Sequence, residues 1–184
     1  MKISILFLII FFMAPLSIEA KDIELTERDV LDGKISVVLP SEFTKLDQKT
    51  LDIKYPLKTA PREVYSDKTT AINFTIDTKD MGGPIPDNLS EKDFQDLLNV
   101  IKKGITLAYE DFKILDEGFV EINNKKYAYL KVIVPAVDTE IYNYMVFSPL
   151  NEKILVASFN TTIANRSVWE VTGDKMIESL KIKG

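Results

Sequence analysis

The side chains able to do chemistry in this sequence are few, because it contains neither cysteine nor histidine. Thiolate nucleophiles, Ser-His-Asp triads, imidazole acid–base catalysis and His or Cys metal ligation are therefore excluded. Carboxylates remain, and the candidate pairs are Asp77 with Asp80, Asp111 with Asp116, and Asp116 with Glu117. Glycoside hydrolysis would need two carboxyls about 5–5.5 Å or about 6.5–9.5 Å apart across a cleft, and sequence spacing does not supply such a cleft. With 28% of residues charged, most Asp and Glu are expected simply to face water. Asp77, Asp80 and Asp87 flank a Gly-Pro loop, but the Asp-x-Asp-x-Asp-Gly run of a calcium loop is missing. Ser179-Leu180-Lys181 has the wrong spacing for a Ser-x-x-Lys nucleophile. Gly82-Gly83 lacks the strand-glycine-helix context and the Lys-Ser/Thr of a phosphate cradle. The expectation is a non-enzymatic protein with no cofactor and no metal.

Two groups of residues are better suited to binding. Residues 78–89 form a long loop punctuated by Gly82, Gly83, Pro84 and Pro86. Long loops are often functional, so Met81, Gly82, Gly83 and Pro84 are candidate partner-contacting residues. Tyr127, Tyr129, Tyr142 and Tyr144 fall at alternate positions on two neighbouring predicted strands. If the two faces coincide they make an aromatic patch suited to recognition. The competing reading is a core buried under a helix, with each hydroxyl at the rim.

The elements that must position these residues are legible from periodicity. Strands are predicted over 33–39, 62–66 and 69–77, with a short helical turn over 41–47 capped by Ser41. Ser90 caps a long amphipathic helix whose inner face carries Phe94, Leu97, Leu98, Ile101, Ile105, Ala108 and Tyr109. Four strands follow over 112–122, 126–134, 140–147 and 153–162, with turns at 123–125 and 148–152. Ser167 and Glu170 read as a capping box for a last helix, with Val168, Trp169, Met176, Ile177 and Leu180 inward and Gly173 a weak point. The row Ala128, Leu130, Val132, Val134 and the opposite row Tyr127, Tyr129, Ile133 are both apolar. Helices on both faces would explain this. The predicted class is α+β, a three-layer α/β/α sandwich around an antiparallel sheet of about six strands.

Length and charge bound the rest. The chain has 184 residues and a net charge of −5. Lys2 followed by the apolar run Ile5 to Leu16 and by Ser17-Ile18-Glu19-Ala20 reads as a secretory signal over residues 1–20. Twelve apolar residues are too few for a spanning helix, which needs about 20. Residues 21–184 then form one domain, free of lipid attachment at cysteine and of stable membrane insertion. Export with no disulfide points to a bacterial envelope protein, most simply periplasmic, with secretion as the other outcome. The acidic balance and only three arginines argue against nucleic acid, which demands a basic stripe.

The order of motifs resembles a known family. It runs Gly33-Lys-Ile-Ser-Val-Val-Leu-Pro40 into Ser41-Glu-Phe-Thr-Lys-Leu46, then Lys54-Tyr55-Pro56, Pro61-Arg-Glu-Val-Tyr-Ser-Asp67 and Thr69-Thr-Ala-Ile-Asn-Phe74. It ends with Val156-Ala-Ser-Phe-Asn-Thr-Thr162, Trp169 and Ile177-Glu-Ser-Leu-Lys-Ile182. This resembles the PsbP-like superfamily, which also includes a yeast Ran-binding import factor and bacterial envelope proteins of the DcrB type. The resemblance implies an antiparallel sheet between helices and a protein-binding role. The chain departs from the DcrB lipoproteins in lacking a lipidated cysteine, and from PsbP in lacking a histidine for a metal. The leading expectation is thus an adaptor or accessory protein that binds another protein. The alternative is a small-molecule or lipid-binding protein with a pocket between sheet and helix, lined by Tyr and Phe.

Overall fold

The computed structural model describes residues 23–55 and 60–183. The proposed signal over 1–20, and Pro56 of the Lys54-Tyr55-Pro56 motif, lie outside the described residues. In chain order the elements are β1 (Leu25–Val30), β2 (Ile35–Pro40), β3 (Thr44–Lys45), α1 (Gln48–Lys54), β4 (Glu63–Ser66), β5 (Ile72–Lys79), α2 (Glu91–Ala108), β6 (Lys113–Ile122), β7 (Lys125–Pro135), β8 (Glu140–Leu150), β9 (Lys153–Thr162), a 3-10 turn (Ile163–Asn165), α3 (Arg166–Glu178) and β10 (Lys181–Ile182).

Seven strands form one antiparallel sheet in the order β3-β4-β5-β9-β8-β7-β6, and β1-β2-β10 form a smaller one. The sheet is larger than the expected six strands because the short β3 extends one edge beside β4. Strand alternation divides it cleanly. Phe94, Leu97 and Leu98 of α2 pack on Ala128, Leu130, Val132, Phe147 and Ile154 on one face. On the other face Met176 and Ile177 of α3, with Val37 and Leu39 of the small sheet, pack on Phe74, Tyr127, Tyr142 and Phe159. Helices therefore cover both faces, and the architecture is the three-layer α+β one.

Local signals explain most boundaries. Ser90 Oγ accepts the Asp93 N–H and the Asp93 carboxylate accepts the Ser90 N–H at 3.1 Å, a complete capping box. The β6–β7 turn has two residues, Asn123 and Asn124, with φ of +49° and +63°. Asparagine tolerates this left-handed conformation, and two such residues match the twist of a hairpin. The β8–β9 turn likewise needs only Asn151 and Glu152, with φ of +50° and +63°, so β8 runs through Pro149 where a five-residue loop was expected.

The strand β1 has no counterpart in the sequence reading, because its alternation is not readable: among its residues only Val30 is buried. Four expectations are corrected. No helix forms over 41–47. The Arg28 guanidinium takes the carbonyls of Phe43 at 2.6 Å and Ser41 at 2.8 Å, which holds that segment as a turn. The helix starts later, where Asp47 Oδ1 accepts the Thr50 N–H at 2.8 Å. At α3 there is no Ser167–Glu170 capping box, since Glu170 instead forms a two-bond pair with Arg166 at 2.9 and 3.0 Å. Val168 faces solvent, while Trp169 stacks on Phe43 with centroids 5.8 Å apart. Gly173 is no weak point either: a Cβ there would overlap the Phe159 ring, so the helix approaches the sheet closely only because this residue is glycine.

Candidate functional site

The open side of the molecule lies where residues 80–89 pass over α2. This segment is pinned along its length. Asp80 Oδ1 accepts the Gly82 N–H at 2.8 Å, and Gly82 has φ of +86°, a conformation that favours glycine. The Ile85 N–H donates to the Glu152 carbonyl at 3.0 Å, and Lys125 Nζ donates to the Asp87 carbonyl at 3.1 Å. The capping box then launches α2. Held this way, the segment and the helix enclose a groove of about 370 Å³. Met81, Ile85, Pro86 and Leu89 form one wall, Leu97 and Val100 the other, and Ile154 of β9 contributes to the base. The rim carries Asp93 and Asp96. Val100 is 55% exposed and Met81 43% exposed, so apolar surface that could be buried is left in water.

The predicted residues separate across the sheet. Met81 lines the groove, while Gly82, Gly83 and Pro84 are exposed beside it. The four tyrosines lie on the opposite face. The two strand faces do coincide, and Tyr129 meets Tyr144 edge-on at 6.2 Å. Helix α3 and the small sheet cover them, however. Tyr127 and Tyr142 are completely buried and Tyr144 nearly so, so this is core and not a docking patch. Nor do all the hydroxyls reach the rim: those of Tyr127 and Tyr142 are buried with no hydrogen-bond partner among the described residues. Burial pushes the Tyr127 hydroxyl up to about 12. It also raises that of Tyr142, helped by the negative charges of Glu170 and Asp174. Tyr129 alone bonds outward, donating to Asp116 at 3.1 Å.

The candidate carboxylates are engaged locally. Asp77 pairs with Lys79 at 2.5 Å and Glu117 with Lys102 at 2.8 Å. Asp80 stabilises its own turn, and Asp116 accepts from Tyr129 and from the Glu117 N–H. Asp111 is exposed. Among the described residues no three Asp or Glu converge as a metal site.

Sequence reasoning missed a buried acid. Glu63 is 5% exposed and accepts Lys45 Nζ at 2.7 Å, Tyr65 Oη at 3.0 Å and the Leu31 N–H at 3.2 Å. Burial works to raise its pKa, but these three donors outweigh it and hold the carboxyl below the ordinary range. The Leu31 N–H belongs to a residue with φ of +51°, a strained conformation for leucine. Glu63 therefore anchors the β1–β2 turn. No local pattern announces this, because the three donors lie 2, 18 and 32 residues away. Lys54, singled out by the resemblance, pairs with no carboxylate among the described residues: its Nζ donates to the Thr70 carbonyl and to Asn73 Oδ1, each at 2.7 Å. Burial lowers its pKa, and its role there is to hold the end of α1 against β5.

No family model matches the sequence, and none of the curated proteins matches it either. Solved structures do. Cyanobacterial PsbP (CyanoP) from Synechocystis sp. PCC 6803 superposes with a TM-score of 0.62 at 13% identity, covering 86% of this chain and 92% of that one. LpqN of Mycobacterium tuberculosis, involved in cell envelope biogenesis, gives 0.53 at 12% identity over 89% and 92%. The Ran-binding protein Mog1p of Saccharomyces cerevisiae gives 0.50 at 14% identity over 87% and 96%. At these identities the likeness concerns the fold.

Proposed function

Proceeding from a PsbP-like fold, we propose that this chain is an exported, non-enzymatic envelope protein that binds a short segment of another protein in the α2 groove. The observation that carries this is the groove itself. Its walls are apolar, its rim is acidic, and Met81 and Val100 stand exposed in it. Asp93 is engaged in the capping box and Asp96 pairs with Lys92 at 2.8 Å. That pair is exposed and therefore weak and exchangeable, so the rim would favour a partner segment that places a Lys or Arg next to its apolar anchors. Export rests on the pattern over residues 1–20, and absence of catalysis on the lack of Cys and His. Ran binding by Mog1p and the envelope role of LpqN agree with a docking protein of the envelope. The groove is open, and the tyrosines expected to line an internal pocket are packed as core. Both facts favour a protein segment over an enclosed lipid or metabolite.

The test is binding to synthetic peptides that carry two apolar anchors flanked either by lysine or by glutamate. Saturable binding of the lysine-flanked set, lost in Val100→Glu and kept in Val171→Glu on α3, supports the reading. Equal binding of both sets, or loss in both variants, removes it.

A further inference from the structure

A second depression lies at the end of the sandwich where the hairpins turn. Antiparallel pairing brings the starts of β2, β4, β7 and β9 to this one end, together with the end of β5. A recess of about 230 Å³ there is walled by Lys34, Arg62 and Lys153, with Leu31, Thr78 and Asn151. It adjoins a wider one of about 700 Å³ that shares Lys34, Leu150 and Asn151 and adds Lys125 and Lys183. Five cations thus line the two recesses, against the carboxylates Asp32 and Asp87. The chain as a whole is acidic, at −5, so the cations are concentrated against the general balance.

Their pairing makes the excess usable. Arg62 is met by Asp32, and Lys183 by Asp29 at 2.5 Å. Lys125 bonds the Asp87 backbone carbonyl, which leaves its charge uncompensated by that contact. Lys34 and Lys153 form no ion pair among the described residues. Both are carried on firm backbone. Lys153 opens β9, and the Lys34 carbonyl accepts the Lys183 N–H at 2.9 Å beside β2. Two ammonium groups, a guanidinium fork and the neutral donors Thr78 and Asn151 around a small recess are the partners of a multiply charged oxyanion.

We propose that this turn-end cleft binds a phosphate group, carried either by a small soluble ligand or by a lipid headgroup. The test uses the purified full-length exported chain, its Lys34→Gln and Lys153→Gln variants, and Lys103→Gln on α2 as a charge-matched control. Inorganic pyrophosphate is titrated at constant ionic strength, followed by NMR shifts and calorimetry. In parallel, binding to phosphatidylglycerol vesicles is compared with binding to phosphatidylcholine vesicles. Saturable pyrophosphate binding that weakens about tenfold in each cleft variant and holds in the control assigns the site to a soluble phosphate ligand. Vesicle binding with the same variant pattern, and no pyrophosphate binding, assigns it to a headgroup. Binding that weakens equally in Lys103→Gln, or no saturable binding to either probe, overturns the proposal. Lys34 and Lys153 make no side-chain hydrogen bond among the described residues, so unchanged thermal midpoints check that the variants remain native.

Discussion

The two faces of the seven-stranded sheet are built from the same alternation and meet different ends. On the α3 face, a 13-residue helix and the small three-stranded sheet together cover the strands. On the α2 face, one 18-residue helix does most of the work. Its inner residues Phe94, Leu97 and Leu98 are buried, but Val100 and Leu107 remain exposed. A single helix cannot cover a wide sheet, and what it leaves uncovered becomes available for recognition. The lesson is that the tyrosines marked the sealed face, while the plainer Met, Ile, Pro and Val marked the open one, beside the buried Phe94 and Phe147.

The largest effect that would break this comparison is Phe159→Ala. Phe159 is fully buried against Gly173 and Tyr142, so its truncation should cost about 3–5 kcal/mol. Urea unfolding measures it, and a loss near zero would mean that the α3 face is not sealed. Next comes Glu63→Gln, expected to cost about 1–3 kcal/mol at neutral pH because all three donors lose a charged acceptor and one carboxylate oxygen becomes an NH2 that faces a donor. The folded-state pKa of Glu63 lies below its ordinary value of 4.5. Its contribution is therefore complete above that value and is lost as pH falls through the lower, folded one. Wild type and variant should converge in acid, and an unfolding series down that limb shows whether they do.

Tyr127→Phe has a smaller effect of opposite sign. It removes a buried hydroxyl that has no partner among the described residues, so stability should stay level or rise by about 1 kcal/mol. Tyr127 ionises at about 12 in the fold against 10.0 ordinarily. The neutral form therefore stabilises the fold fully below 10, and that stabilisation fades as pH climbs towards 12. The variant should lose part of this alkaline decline, as read by unfolding together with tyrosinate absorbance. The smallest effect on stability belongs to Val100→Glu, within about 0.5 kcal/mol. Peptide binding in the groove should nevertheless be abolished. A variant that unfolds instead would show Val100 to be core.

Much of the frame was legible because its signals are local. Ser90 with Asp93 marks the start of α2, and Asn123-Asn124 marks a hairpin. The opposed rows of β7 announce a sheet covered on both sides. What failed was also local in form but decided at a distance. Ser41 is an acceptable helix cap, yet Arg28 from β1 claims the carbonyls around it. Glu170 is well spaced for a capping box, yet Arg166 takes both of its oxygens. Gly173 looks like a flaw in a helix until Phe159, 14 positions earlier in the numbering, is placed against it.

The sequence by itself determined the class of the fold, the position of the long helix, the pairing of the hairpins, and the exclusion of thiol and imidazole chemistry. These depend on residue type and on the periods of strand and helix, which act over a few positions. Tertiary structure alone decided that the tyrosines are core, that Met81 and Val100 share a groove, that Glu63 anchors the strained Leu31 turn, and that five scattered cations gather at one end. Alternation assigns a side chain to a face, but only packing in three dimensions decides what covers that face, and therefore which residues remain in contact with water.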